Sequence, residues 1–411
     1  MTGPRARQVN RTRPSHLLPL GGKLLLSSRV TTAAMLTTAL CFGAACSADD
    51  NATAENTEKL PLGAIGAMTV GPRTMPMPDN ARTLVVAFDD HGRQVSRQDG
   101  GPISSASAVG WKRGLTATTA DSVTTLTTAG STHTPIHENM VGGAASDADT
   151  GGVLHWFNTA QPDGPEVPYR NSYVLTSPEA DPYVGAVSGI VLTAGHCGTS
   201  AYGVVADVKA ITSGQTSTPH RLYQLTNQAE PAVRGGWDYP TDFRPLSRTS
   251  ACSDDGTTLY NLYGSAAALR DRTGAGAMTL VRIDTNSGAR TETPVDISGH
   301  AVPTQASTLT LLDERLYWIN EDGVVLSVAA DGSSNKVQKQ WHLPDLGKRD
   351  RASVSGGTVA FTEWEGTASY AEYDLPTGRS LRDPIELPWL QTTLDDNDGS
   401  SVLSVTSVPQ D

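Results

Sequence analysis

Three residues of this 411-residue chain could together support nucleophilic catalysis. His196 lies in Leu192-Thr193-Ala194-Gly195-His196-Cys197, Asp242 follows 46 residues later, and Ser355 stands before Gly356 and Gly357. Acyl transfer needs a serine within hydrogen-bond reach of an imidazole, a carboxylate to orient the other ring nitrogen, and N–H groups to hold the oxyanion. A second chemistry is thiol oxidation, because Cys197 and Cys252 form an even pair. A disulfide between them would close a segment of 55 residues and stabilise the fold by about 4 kcal/mol in the chain-entropy model. The third is ligand recognition by Thr226 to Ser250, TNQAEPAVRGGWDYPTDFRPLSRTS. This stretch reads as a long irregular loop, and connections longer than about 15 residues are usually functional or disordered. It carries Arg234, Trp237, Tyr239, Phe243 and Arg244, types enriched at binding hot spots. A cap packed over one face of the fold for stability is an equal alternative.

Leu192 to Cys197 resembles the histidine motif of trypsin-like serine proteases, which would make His196 a general base. The rest of that family's pattern is missing. Its Gly-Asp-Ser-Gly-Gly-Pro is replaced by Ala352-Ser353-Val354-Ser355-Gly356-Gly357-Thr358, and no Cys lies between Cys46 and Cys197 to make the family's bridge. Val187 to Val191 also aligns with Val354 to Val359 as the start of one strand in two repeated units. His196 and Ser355 are therefore expected in equivalent repeats, and no catalytic residue is expected.

The acidic clusters read as turns rather than metal sites. In Asp395-Asp396-Asn397-Asp398-Gly399 the first ligand position of an EF-hand falls on Leu394, and no glutamate follows at the twelfth. Asp89-Asp90-His91-Gly92, Asp254-Asp255-Gly256 and Glu321-Asp322-Gly323 lie between apolar runs, where Asp and Gly favour tight turns. No Cys or Cys/His spacing suits structural zinc, so no metal is expected.

These groups must be positioned by an all-β scaffold. After residue 60 short Val, Leu, Ile, Tyr and Thr runs alternate with Asp-Gly and Ser-Gly turns, the pattern of successive hairpins. Three stretches repeat this grammar from Thr257, Arg315 and Gly357, with Leu316 and Val359 43 residues apart and Leu259 and Leu316 57 apart. Fainter units begin at Thr83, Gly114, Gly151 and Gly189. The expectation is a β-propeller of about seven blades, with six or eight left open. In pattern, residues 62–411 resemble bacterial repeat propellers of the YVTN and quinoprotein-like kind. The tryptophan and vicinal cysteines that a quinone cofactor would need are unmarked, so no cofactor is expected. Ser400 to Val408 alternates apolar and hydroxyl residues and is expected to close the ring. Trp318, Trp341, Trp364 and Trp389 are expected as blade core.

The first 45 residues differ from the rest. They hold six basic and no acidic residues, leaving 25 basic against 43 acidic beyond them. That acidic balance argues against nucleic acid, whose binding requires basic clusters. Val30 to Ala45 is uncharged and mostly apolar over 16 residues, too short for a spanning helix of about 20 residues and ordered as a secretory signal. Gly43-Ala44-Ala45-Cys46 resembles the lipobox of bacterial lipoproteins, although Gly43 stands where that family usually has Leu. The resemblance implies cleavage before Cys46, lipidation of Cys46 and anchoring outside the cytoplasm. Residues 1–45 are thus expected as signal, 46–61 as a lipidated Cys and polar tether, and 62–411 as propeller. The expected function is non-catalytic binding of a protein, peptide or envelope glycan on one propeller face. The alternative is an extracytoplasmic hydrolase or lyase on the same scaffold.

Overall fold

In the computed structural model the described residues are 59–409, apart from 74–76, 78–79, 113, 148–149, 159–168, 228–229, 266–277, 298–302, 304–307, 345–349 and 398. The expected signal, Cys46 and most of the expected tether lie outside them. The packed body begins two residues earlier than the sequence reading placed it. Leu60 is 3 % exposed, and its N–H donates to the Thr127 carbonyl, whereas Leu62 is 89 % exposed. A leucine flanked by Lys59 and Pro61 gives no strand pattern, so its burial was not legible.

Among the described residues twenty-nine strands form seven antiparallel sheets, and the chain is a seven-bladed β-propeller. Blade 1 has the order β29 (Ser400–Ser407), β1 (Ala64–Pro72), β2 (Thr83–Asp89), β3 (Gln94–Gly100). Blade 2 comprises β4 (Ala108–Trp111), β5 (Gly114–Thr118), β6 (Ser122–Thr127) and β7 (Ser131–Pro135). Blade 3 comprises β8 (Val141–Ser146), β9 (Val153–Asn158), β10 (Arg170–Ser177) and β11 (Ala180–Ser188). Blade 4 comprises β12 (Ile190–Cys197), β13 (Ser200–Ala206), β14 (Ser217–Leu225) and β15 (Ala232–Pro240). In blade 5 the first strand is split into β16 (Phe243–Pro245) and β17 (Ala251–Cys252), both paired with β18 (Thr258–Ser265), followed by β19 (Met278–Asp284) and β20 (Arg290–Val295). Blade 6 comprises β21 (Thr310–Leu312), β22 (Arg315–Ile319), β23 (Val324–Ala329) and β24 (Gln338–His342). Blade 7 comprises β25 (Asp350–Ser355), β26 (Thr358–Glu363), β27 (Ser369–Asp374) and β28 (Ser380–Glu386). Among the described residues two short helices, α1 (Val208–Thr212) and α2 (Pro388–Asp396), link strands of blade 4 and lead into β29.

The core is not one mass but seven clusters, one at each junction between neighbouring blades. Strand periodicity makes this division. In β2, Leu84, Val86 and Phe88 pack toward blade 7, while Val85 and Ala87 pack toward blade 2. A strand whose two faces meet two neighbours reads as a continuous apolar run. The second strands of all blades and the third strand of blade 1 have this character.

That equivalence explains where the repeat reading slipped. The units beginning at Gly114, Gly151, Thr257, Arg315 and Gly357 fall on second strands. Thr83 opens a third strand instead, and Ile190 a first strand, each one place out of phase. Ser400 to Ser407 pairs with β1 in seven register positions and closes the ring as expected. Thr69 and Ser404 on these two strands share a hydroxyl hydrogen bond of 2.8 Å. Trp318 and Trp364 are buried in junction clusters, with Trp341 and Trp389 packed against them.

The loop expected over Thr226 to Ser250 is corrected. Its middle is β15, the outer strand of blade 4, paired with β14 from Ser217↔Pro240 to Gln224↔Ala232, and its end carries β16. The outer strand buries only alternate residues, Trp237 and Tyr239. With Gly235 and Gly236 in its centre it therefore lacks the apolar run that marks inner strands.

Candidate functional site

The first strands of neighbouring blades stand side by side around the ring axis, β25 beside β29, β29 beside β4, β4 beside β8, β8 beside β12, and β12 beside β17. Each begins at one face of the ring and ends at the other. At the face where they begin, a cavity of about 200 Å³ lies between blades 3, 4 and 5. Its apolar wall includes Val141, Trp156 and Val191, and its polar groups include Asn158, Asn171, Arg244 and Arg248.

Local sequence sets each wall. In blade 3 the register shifts between Val141 and Gly143. A Cβ at Gly142 would lie 2.5 Å from Trp156 Cδ1, so glycine is what lets the indole lie against this backbone. Asn171 is 1 % exposed, and its Oδ1 accepts the Val191 N–H at 2.6 Å, tying blade 3 to the start of β12. Asn158 Oδ1 is buried and has no hydrogen-bond partner among the described residues.

The break between β16 and β17 supplies the cationic wall. Here Thr249 leaves the pairing with β18 and bridges Ala194 of blade 4 in parallel, with the Ala194 N–H donating to Arg248 O (3.0 Å) and the Ser250 N–H to Ala194 O (2.9 Å). A buried polar cluster holds the break: Ser250 Oγ donates to Asn261 Oδ1 at 2.6 Å and meets Thr193 Oγ1 at 3.0 Å. Arg248 is thereby carried on a backbone fixed from both sides. Its side chain is half-buried, and Nη1 donates to the Val141 carbonyl at 3.5 Å. Burial pushes the Arg248 pKa below the usual guanidinium value. Among the described residues no carboxylate forms an ion pair with Arg248 or with the exposed Arg244. Glu138, upstream of β8, accepts a hydrogen bond from Ser172 Oγ instead, and burial raises its pKa.

The five residues singled out in the sequence are not brought together. Trp237 and Tyr239 are 7 % and 5 % exposed in the cluster between blades 4 and 5, with Phe243 packed against it. Arg290 stands over both rings, 5.6 Å from the Trp237 centroid and 5.1 Å from that of Tyr239. Glu292 Oε1 accepts from Arg290 Nε at 2.7 Å and from the Tyr239 hydroxyl at 2.8 Å. Burial, reinforced by Glu292, raises the Tyr239 pKa. Arg234 lies exposed on the outer strand, where it donates to Gln224 Oε1. Only Arg244 reaches the cavity. Arg248 was missed because nothing in Pro245-Leu246-Ser247-Arg248 marks a strand break; the one available signal was a pair of arginines four apart with no acid between them.

The three groups tested for acyl transfer are also apart. His196 is at the end of β12, against Gly152, where a Cβ would meet its ring Cε1 at 2.2 Å. Burial lowers its pKa, partly opposed by Asp147. Ser355 ends the first strand of a different blade, 7, and donates to the Gly110 carbonyl at 3.1 Å. Asp242 is exposed in the turn between β15 and β16, at the face where β12 begins rather than ends. The expected alignment of Val187–Val191 with Val354–Val359 fails, since it matches the start of a first strand to the start of a second. His196 and Ser355 still lie at the ends of first strands, in blades 4 and 7.

Cys197 and Cys252 form the expected disulfide, with Cα atoms 5.4 Å apart. It joins β12 to β17, so it links adjacent first strands across the junction. Asp89 accepts the N–H groups of His91 and Arg93, and Asp255 that of Thr257, as read for turns, whereas Asp395 and Asp396, also read as turn acids, end α2. Among the described residues no three potential metal ligands converge, and no helix is long and apolar enough to cross a membrane.

No protein-family model matches the chain, and no curated protein matches it. Among solved structures, apo AztD from Citrobacter koseri aligns with 84 % of this chain and 98 % of its own, at 10 % identity and a TM-score of 0.44. The dihydro-heme d1 dehydrogenase NirN in complex with DHE aligns over 81 % and 75 %, at 14 % identity and 0.45. The β-propeller domain of Cps50 (Swd1) from Myceliophteria thermophila aligns over 71 % and 87 %, at 13 % identity and 0.43. The assignment of fold rests on this chain's own strand pairing.

Proposed function

We propose that the chain is an exported, lipid-anchored propeller that binds an envelope component, protein, peptide or glycan, without transforming it. The cavity between blades 3, 4 and 5 carries this reading. It combines apolar walls with orienting polar groups, as ligand sites do; its described lining residues include no carboxylate, histidine or cysteine, and the hydroxyl of its serine, Ser247, donates to the Thr249 carbonyl with no base beside it in the lining. The basic segment, the 16-residue apolar run and Cys46 support export and anchoring. In a cell envelope, a tether of polar residues would hold the propeller off the membrane.

Two measurements test this. Palmitate labelling of the expressed protein is expected to disappear in Cys46→Ser; label retained in that variant overturns the anchor. Fractionated envelope extract is expected to raise the melting temperature of the purified protein and to be recovered chemically unchanged. Turnover of any fraction, abolished by substitution in the cavity, would establish the enzyme alternative instead.

A further inference from the structure

Resting on that reading, we infer that the cavity is a carboxylate site that takes a small amphipathic acid, either free or as the C-terminal end of a peptide, through Arg248 and Arg244.

The charge of Arg248 is the first observation. A guanidinium partly withdrawn from water is ordinarily paired, as Arg97 is with Asp99 at 3.0 Å and Arg382 with Glu372 at 3.5 Å. The chain carries 43 acidic residues against 31 basic ones, yet none of the described acids pairs with Arg248 or Arg244. Their planar donor forks match a carboxylate in two-point contact. The positions four apart flank Pro245, whose fixed backbone limits relative motion.

Size and polarity narrow the ligand. A cavity of about 200 Å³ is below the ~300–1,000 Å³ of sites for drug-sized molecules. It suits a small acid or the last residue of a longer chain. Val141, Trp156 and Val191 offer apolar contact to its body. The orphaned Asn158 Oδ1 calls for a donor, which the amide N–H on the carbon that carries the carboxylate supplies.

Calorimetric titration at low salt with N-acetylleucine, its neutral amide, acetate, phosphate and acetyl-Gly-Gly-Leu tests the site. N-acetylleucine is expected to bind at least tenfold more tightly than its amide and than acetate or phosphate. Arg248→Gln is expected to weaken it at least tenfold, about 1.4 kcal/mol, with partial recovery in Arg248→Lys. Arg244→Gln, at an exposed position, gives a second, smaller loss should Arg248→Gln not fold. Equal affinity for the tripeptide identifies a chain end, and exclusion of the tripeptide identifies a free acid; both support the site. Binding unchanged in both arginine variants, or acetate and phosphate binding as tightly as N-acetylleucine, overturns it. If these probes fail while envelope extract still stabilises the protein, this inference falls and the binding function stands. If an acid binds but is converted, the reverse holds.

Discussion

Two arginines beside tryptophan-bearing walls, Arg290 and Arg248, show how differently one residue type is used. Arg290 stands over Trp237 and Tyr239 at the outer edge of the junction between blades 4 and 5, and Glu292 takes both its N–H and the tyrosine hydroxyl. Charge and hydroxyl are satisfied within the chain, and of this group only the buried Trp237 Nε1 lacks an acceptor among the described residues. Arg248 lines the cavity with Trp156 and, among the described residues, has only the Val141 carbonyl, at 3.5 Å. A group whose needs are met internally contributes to stability. One whose needs are unmet, on backbone pinned from two sides, is prepared for something from outside. Residue type alone did not separate these cases, and the aromatic and basic residues that first drew attention belong mostly to the satisfied one.

The comparison can be broken by substitution, and the largest effect belongs to the satisfied region. Replacing Trp237 by Ala is expected to cost about 3–5 kcal/mol, measured by denaturant unfolding, and to leave N-acetylleucine binding to the refolded protein unchanged. A loss under 1 kcal/mol would show that Trp237 is not core. Removing the Cys197–Cys252 bridge with Cys197→Ala and Cys252→Ala should cost about 4 kcal/mol at most in the chain-entropy model, again with binding retained. Loss of binding here would mean that the two regions are coupled.

A middle-sized effect should appear in the pH dependence. Burial draws His155 down to about 3 and His220 to about 4. The unfolded chain protonates both below about 6.5 while the folded chain keeps them neutral. Stability is then full above that value and falls as the pH drops toward 4, by on the order of 1 kcal/mol per pH unit for each histidine. His155→Leu is expected to flatten the melting-temperature profile between pH 6.5 and 4; an unchanged slope would place the acid sensitivity elsewhere.

The smallest effects sharpen the comparison most. Glu292→Gln removes one side of a partly exposed pair and is expected to cost under about 1 kcal/mol. Arg248→Gln removes an uncompensated charge and is expected to be neutral or slightly stabilising. If Arg248→Gln instead costs more than Glu292→Gln in the same melts, its guanidinium is structural.

The sequence was most informative where strands have both faces buried. Leu259, Leu316 and Val359 lie on second strands of successive blades, and their spacing sufficed to give the propeller. The same property misled at Thr83, since a third strand pressed between two junctions looks like a second. Outer strands were the least legible: β15 buries Trp237 and Tyr239 but places two glycines between Arg234 and Trp237, so it read as a loop. The disulfide was legible because only two cysteines remain after Cys46. The cavity was not. It depends on Thr249 abandoning its own sheet for Ala194, a long-range pairing that leaves no periodic mark, so Arg244 was noticed for its type and Arg248 not at all.

The closure by β29 also sets a clock. β1 has one edge whose backbone N–H and C=O groups pair with Ser400–Ser407, and ribosomes add about 5–20 residues per second. The strand that opens the ring therefore waits on the order of tens of seconds for the one that seals it. Through that interval blade 1 lacks its first strand and β1 has no partner along that edge. The ring shape is thus an event at the end of synthesis, and a ribosome stalled before Ser400 releases a protein with every blade but the first complete and no circle.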